Sequence, residues 1–224
     1  MRPMFSKIPR MGRVSARLLT WALCLLVFLM VPTTRAHAQK QYVGTLSYTM
    51  AQPSGDASDF ANNFSWLGFS VEGDWFLRPN ISAGFISGWQ EIYKEQNGDS
   101  YTFSNGTISA ARTYRHIGSL PLLARARYWT GTPGDRAHAF VGLGAGTYWM
   151  KQTVDAGIYT ADEDHWHFGV APEVGVLVKT GYDIGWTLNA RYNYPFASGG
   201  YLGADNPSKS WSYWGFGIGF SYTH

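Results

Sequence analysis

The chain has 224 residues, 18 Lys/Arg against 15 Asp/Glu, one cysteine and an aromatic share of 17%. The first 38 residues hold six of those bases and no acid, so residues 39–224 carry 12 bases against 15 acids, a net charge of −3. The basic balance therefore belongs to the leading segment and gives no reason to expect a nucleic-acid partner. Cys24 lies in that segment too, which leaves the remainder without a disulfide or thiol chemistry.

The leading segment reads as an export signal. Arg2, Lys7, Arg10, Arg13 and Arg17 form a basic start, Leu18 to Val31 is an apolar run, and Ala36-His37-Ala38 fits a small-x-small cleavage site. The expected division is a cleaved signal peptide over 1–38 and one domain over 39–224. No later stretch offers ~18 uncharged apolar residues, so no helix spans a bilayer. A closed barrel of strands is the other structure that can.

Strand and turn signals recur from Gln41 onward, and helical periodicity is absent. The first strand is placed over 42–50, with Leu46, Tyr48 and Met50 outward, followed by a polar loop over 51–64. The second, 66–77, sets Leu67, Phe69, Val71, Trp75 and Leu77 against Gly68, Ser70, Glu72 and Asp74. A tight turn at Arg78-Pro79-Asn80 leads to the third, 81–93, and then a long polar loop runs over 94–112. The fourth, 113–129, sets Leu120, Leu122, Ala124, Ala126 and Tyr128 against Arg115, Ser119, Arg125 and Arg127. After a turn at 130–136 the fifth, 138–152, alternates Val141, Leu143 and Ala145 with Gly142, Gly144 and Gly146. A loop over 153–165 precedes the sixth, 166–178, with valines opposite Gly169, Glu173 and Gly175. The seventh, 184–194, sets Trp186, Leu188, Ala190, Tyr192 and Tyr194 against Thr187, Asn189, Arg191 and Asn193. A glycine-rich loop over 195–210 leads to the eighth, where Trp214, Phe216, Ile218, Phe220 and Tyr222 alternate with Gly or Ser.

Successive side chains on a strand point to opposite faces, so each segment has one oily face and one small or charged face. The expected fold is an all-β, eight-stranded antiparallel up-and-down transmembrane barrel, oily side to lipid. A soluble barrel with the oily face inward would alternate too. Three features favour the membrane: the non-oily face is Gly, Ser, Asn, Arg and acids with few lysines, aromatics sit at strand ends, and long and short connections alternate. Trp75, Tyr128, Trp186 and Tyr222 fall at the short-turn ends as an inner girdle. Trp89, Trp149, Tyr194 and Trp214 fall at the long-loop ends as an outer one. Pro121 and Pro172 lie inside strands, where a closed barrel has no edge to accept them; each should mark a bulge or a gap in the ladder.

The segments Leu120-Pro121-Leu122-Leu123-Ala124-Arg125-Ala126-Arg127-Tyr128 and Phe140-Val141-Gly142-Leu143-Gly144-Ala145-Gly146 resemble strands of the small outer-membrane β-barrel family, the OmpA/OmpX/OmpW-like group. Phe216, Ile218, Phe220 and Tyr222 resemble that group's C-terminal targeting signal, although His224 stands where the family usually ends in Phe. The resemblance implies the outer membrane of a Gram-negative cell, contact with lipopolysaccharide, delivery by the barrel-assembly machinery through the last strand, and a monomer. With the chain ending at its last strand, no periplasmic peptidoglycan-binding domain is expected.

Counted from the inner turns, Glu72, Asp74, Arg125, Arg127, Glu173 and Arg191 share one depth, and a cluster of ion pairs filling the narrow lumen is expected. Asp162-Glu163-Asp164-His165-Trp166-His167 carries the ligand types of a cation site, but solvated loop charge explains it as well, and no metal or cofactor is expected. Gly142-Leu143-Gly144-Ala145-Gly146 has no following helix and is the bare face of a strand rather than a phosphate loop. Lipid A-modifying barrels use His and Ser near the outer rim; His116, His165 and His167 lie there without nucleophile–base spacing, so an enzyme is not expected. The expected role is envelope structure or surface contact through the loops at 51–64, 95–112, 153–165 and 195–210. The alternative is a narrow porin-like conduit for small apolar solutes, marked by an opening from lumen to wall at Pro121 or Pro172.

Overall fold

In the computed structural model, residues 41–97, 100–103, 106–109, 112–131, 135–156, 159–196 and 210–224 are described; the expected signal peptide lies outside them. The alternation read from the sequence becomes β1 (Tyr42–Pro53), β2 (Leu67–Arg78), β3 (Ile81–Asn97), β4 (Ser100–Phe103), β5 (Gly106–Ser109), β6 (Arg112–Trp129), β7 (Ala137–Ala156), β8 (Tyr159–Lys179), β9 (Ile184–Pro195) and β10 (Tyr213–Thr223). Eight of these close into one barrel in the order β1-β10-β9-β8-β7-β6-β3-β2, every pair antiparallel, while β4 and β5 form a separate hairpin. Closure runs from Val43↔Thr223 to Pro53↔Tyr213, and the Tyr42 and His224 backbones exchange bonds of 2.8 and 2.9 Å beyond it.

The faces point as the alternation requires. Phe216, Ile218 and Phe220 are exposed on the outer wall, with Leu67, Phe69, Val71, Leu143, Val174 and Leu188, while Glu72 and Arg125 are buried inside. A soluble barrel would reverse this, and water would not tolerate so continuous an oily surface. The wall is a transmembrane one.

Two loops expected from the sequence are strand instead. Within 94–112, β3 continues to Asn97 and pairs with β6 as far as Asn97↔Arg112, and the β4–β5 hairpin occupies the tip. Within 153–165, β7 and β8 stay paired up to Ala156↔Tyr159. The cause is a change of surroundings. Above the outer girdle, Ile92, Ile117, Met150 and Val154 are buried inside, while polar chains such as Lys151 and Asp162 bond across the outer surface at 2.9 Å. An outer face of acids and lysines reads as loop although it is ladder. The expected loop at 51–64 also holds more structure than its polarity suggests. Helix α1 (Asp56–Phe60) buries Ala57 and Phe60, with Phe60 edge-on to Trp211 at 5.1 Å, and Ser65 bridges back to Ala51. The chain enters α1 through Gly55, whose φ of 55° and ψ of −137° only glycine adopts without strain.

Both prolines interrupt one ladder each. Pro121 pairs with Tyr148 on β7, but the β3–β6 ladder stops at Ser87↔Leu122 and resumes at Gln90↔Ser119. Pro172 pairs with Leu143, while the β8–β9 ladder stops at Val170↔Tyr194 and resumes at Glu173↔Arg191. No register changes across either gap: two residue pairs drop out of each ladder, and pairing resumes without a bulge.

Candidate functional site: the charged lumen and its flanks

An eight-stranded barrel leaves room inside for little beyond its own side chains. The structure brings all six expected lumen charges into one cluster. Glu72 and Asp74 come from β2, Arg125 and Arg127 from β6, Glu173 from β8 and Arg191 from β9. Arg125 donates to Glu72 Oε2 at 2.6 Å and through Nε to Asp74 Oδ1 at 3.0 Å, with a second bond from Nη2 to Asp74. Arg127 reaches Glu173 Oε1 at 2.6 Å, Asp74 Oδ2 at 2.8 Å and Glu72 Oε2 at 2.9 Å. Arg191 Nη2 reaches Glu72 Oε1 at 2.5 Å and Glu173 Oε2 at 3.3 Å. Three guanidiniums thus face three carboxylates, and the cluster is neutral. The Arg125, Arg127, Glu72, Asp74 and Glu173 side chains are fully shielded from solvent, and that of Arg191 is 8% exposed. Forked, multiply bonded pairs of this kind are what make buried charge tolerable.

Apolar side chains flank the cluster on both sides, and the sequence reading missed them. Towards the short turns, Val43, Trp129, Phe140 and Leu177 form one buried group with Phe76 packed on it, and the Arg127 guanidinium lies 4.1 Å from the Phe140 ring centre. Trp129 Nε1 donates to Ser82 Oγ at 2.8 Å. Towards the long loops, Leu123, Ile86, Tyr148, Ile117, Ile92, Met150, Tyr213 and Phe60 belong to a second buried group. The signal for both was strand parity. Trp129 shares its face with Arg125 and Arg127, and Tyr148 shares its face with Gly142 and Gly144.

The glycines and serines of β10 face inward as expected, and neighbouring side chains fill the space they leave. A methyl on Gly217 would lie 2.2 Å from Asn189 Oδ1, and one on Gly219 would lie 2.2 Å from Ser47 Oγ. Above the cluster, a cavity of about 30 Å³ remains among Thr49, Ser70, Gln90, Asn189, Arg191 and Tyr213.

The expected girdle residues lie at the two ends of the outer wall. Trp75 packs on Tyr42 at 5.4 Å, Trp186 on Phe220 at 6.0 Å, and Tyr128 and Tyr222 lie exposed at the same end. At the other end Trp89 and Trp149 are 5.9 Å apart, Trp214 is 4.9 Å from Tyr192, and Tyr192 stacks on Tyr194. Trp66 and Trp166 are exposed at this end too and were not assigned to the girdle, because each was read only as the first residue of its strand.

The rim histidines do not converge. His116 Nδ1 lies 3.3 Å from Glu91 Oε1 on the outer face of the barrel. His165 Nε2 lies 2.7 Å from Glu163, and His167 Nδ1 is 3.1 Å from the Phe196 carbonyl, both on the inner face. The acids of 162–164 alternate between faces as well. Lys151 and the Trp149 indole serve Asp162 and Asp164 outside, and the hydrogen bond from Lys151 to Asp162 holds that ammonium above its ordinary range. Among the described residues no group of three or more His, Cys, Asp or Glu is arranged to hold a metal.

No family model and no curated protein matches the sequence. Solved structures do resemble it in fold. Neisserial surface protein A is 15% identical, with 81% of this chain and 96% of that one aligned at a TM-score of 0.52. The outer membrane protein OprG of Pseudomonas aeruginosa is 12% identical, with 84% of this chain and 98% of that one aligned at a TM-score of 0.51. At these identities the likeness establishes the architecture, a small closed eight-stranded β-barrel, and nothing finer.

Proposed function

We propose that this protein is a monomeric, non-enzymatic outer-membrane barrel, exported by a cleaved signal peptide, closed along its axis, and serving envelope structure or surface contact. The observation that carries this reading is the lumen cross-section: a neutral, fully bonded cluster of three arginines and three acids, with aromatic rings beneath it and an apolar group above. A solute moving along the axis would have to break several buried charge-assisted bonds at once, each break leaving a charge unpaired. The surface that remains for partners is the paired extension of β3, β6, β7 and β8 above the outer girdle, together with the loop around 51–64; the expected loop over 195–210 lies, across 197–209, outside the described residues. Lipopolysaccharide contacts the wall below that extension, and Phe216, Ile218, Phe220 and Tyr222 present the targeting signal to the assembly machinery. Planar-bilayer recording tests closure: the purified barrel is expected to give no steady single-channel steps, and large steady steps would refute the reading.

A second reading, a narrow conduit for small apolar solutes, is favoured by one observation. At the β3–β6 gap, Gly88 and Trp89 do not pair with Leu120 and Pro121, and the inner cavity and an apolar depression of about 470 Å³ on the outer wall share Phe69 and Trp89 as a border. Such a path leaves the lumen sideways, above the ion pairs. Uptake of a small apolar dye into liposomes carrying the protein tests it. A rate equal to that of empty liposomes ends it.

A further inference from the structure

The two hollows on either side of the β3–β6 gap differ in chemistry. The outer one is lined by Phe69, Val71, Phe85, Trp89 and Leu120. The inner one presents hydroxyls, amides and the flank of one guanidinium, from Thr49, Ser70, Gln90, Asn189, Tyr213 and Arg191. Between them two pairs, Gly88 with Pro121 and Trp89 with Leu120, are missing from the ladder, and Pro121 has no N–H to supply a bond there. We propose that this wall binds a single-chain amphiphile, with its alkyl chain in the outer groove and a small, uncharged, hydrogen-bonding head passing through the gap into the cavity. The inference rests on the same gap as the conduit reading but asserts binding at a defined place rather than passage.

Size, charge and chain length together fix the class of ligand. The inner cavity of about 30 Å³, where about 10–15 Å³ admits one water, has room for two or three waters, so it takes a hydroxyl or a carboxamide and not a sugar. Arg191 is the cluster member beside the cavity, but Glu72 and Glu173 already engage it and the cluster as a whole is neutral, so a charged head would be desolvated without a counter-charge. From Trp89 to Phe85 the groove follows four residues of strand, ~13 Å, the length of a medium alkyl chain. Lipid tails solvate such a chain as well as the groove does, so the head decides selectivity.

Photolabelling tests this in the full-length barrel held in phosphatidylcholine nanodiscs. Twelve-carbon probes carry a diazirine near the chain end and an alcohol, carboxylate or trimethylammonium head. Adducts of the alcohol probe are expected on Phe69, Val71 or Phe85 at about fivefold or more over Leu188 and Val176 on the opposite wall. Thr49→Leu, which fills the cavity, is expected to bring that ratio near one. Should Thr49→Leu fail to fold, Gly215→Ala narrows the same cavity, its methyl meeting Asn193 Nδ2 at 3.3 Å. Equal labelling of the two walls by the alcohol probe overturns the site, and so does enrichment that survives filling of the cavity. Equal enrichment by the charged probes overturns the assignment of the head. Enrichment without dye uptake keeps this inference and ends the conduit reading, whereas uptake without enrichment does the opposite.

Discussion

The wall within the bilayer and the extension above it are made of the same strands with opposite polarity. On β7, Val141 and Leu143 point outward at 55% and 54% exposure, while further along the same strand Met150 and Val154 point inward at 2% and 1%. On β6, the inward positions are Arg125 and Arg127 at bilayer depth and Ile117 above it. The sense inverts at the level of Trp89 and Trp149. A strand has no preference of its own for which face is oily. What lies outside decides, lipid below the tryptophans and water above them.

Substitutions of matched type in the two regions can break this comparison. The largest expected difference concerns charge. Glu72→Ala leaves guanidiniums unpaired in the lumen and should cost about 3–5 kcal/mol, whereas Glu163→Ala, at a half-exposed site, should cost under about 1 kcal/mol. Urea unfolding in lipid vesicles measures both, and equal costs would mean that the cluster is solvated. Next in size, Ile117→Ala should cost about 2–4 kcal/mol if the extension has a packed interior. A value within about 0.5 kcal/mol would make the extension a loose ribbon. An arginine on the outer face sharpens the position of the boundary: Leu188→Arg should cost about 2–4 kcal/mol near mid-bilayer, and Thr153→Arg, above the girdle, should be within about 0.5 kcal/mol of neutral. The smallest effect is expected for Lys151→Ala, whose partner Asp162 is exposed. Any contribution of that pair should vanish in 1 M salt. Because the bond raises the ammonium's pKa, the contribution should be present at neutral pH and be lost as pH rises past that raised value.

The same inversion explains what the sequence made legible. Where lipid faces the strand, alternation is strict, and the eight strands, their order, both proline gaps and the meeting of six distant charges follow from parity and distance from the turns. Where water faces it, Lys151, Asp162 and Asp164 make the outer face look like loop, so the paired lengths 94–97, 153–156 and 159–165 were hidden. Phe60 was hidden for a related reason, a lone apolar residue in a polar run whose burial depends on Trp211, far away in sequence. The floor of Phe76, Trp129 and Phe140 was visible in parity but overshadowed by the charges on the same face. The unpaired width at Gly88 and Trp89 could be placed at Pro121, yet the hollow on each side depends on where Phe69 and Trp89 turn, which no alternation rule sets.

The neutral cluster also constrains the order in which the barrel can be built. Asp74 and the β6 arginines are separated by 51 and 53 residues, but Arg191 meets Glu72 across 119. A sheet that has formed only from β2 to β6 already brings two arginines against two acids, so it is balanced. Adding β7 and β8 contributes Glu173 and leaves one surplus negative charge until β9 arrives. A half-made sheet sliding into hydrocarbon at that stage would carry the surplus with it. Insertion of this protein is therefore expected to await its last two strands, unless Glu173 takes up a proton: β9 cancels the charge, and β10 removes the open edge.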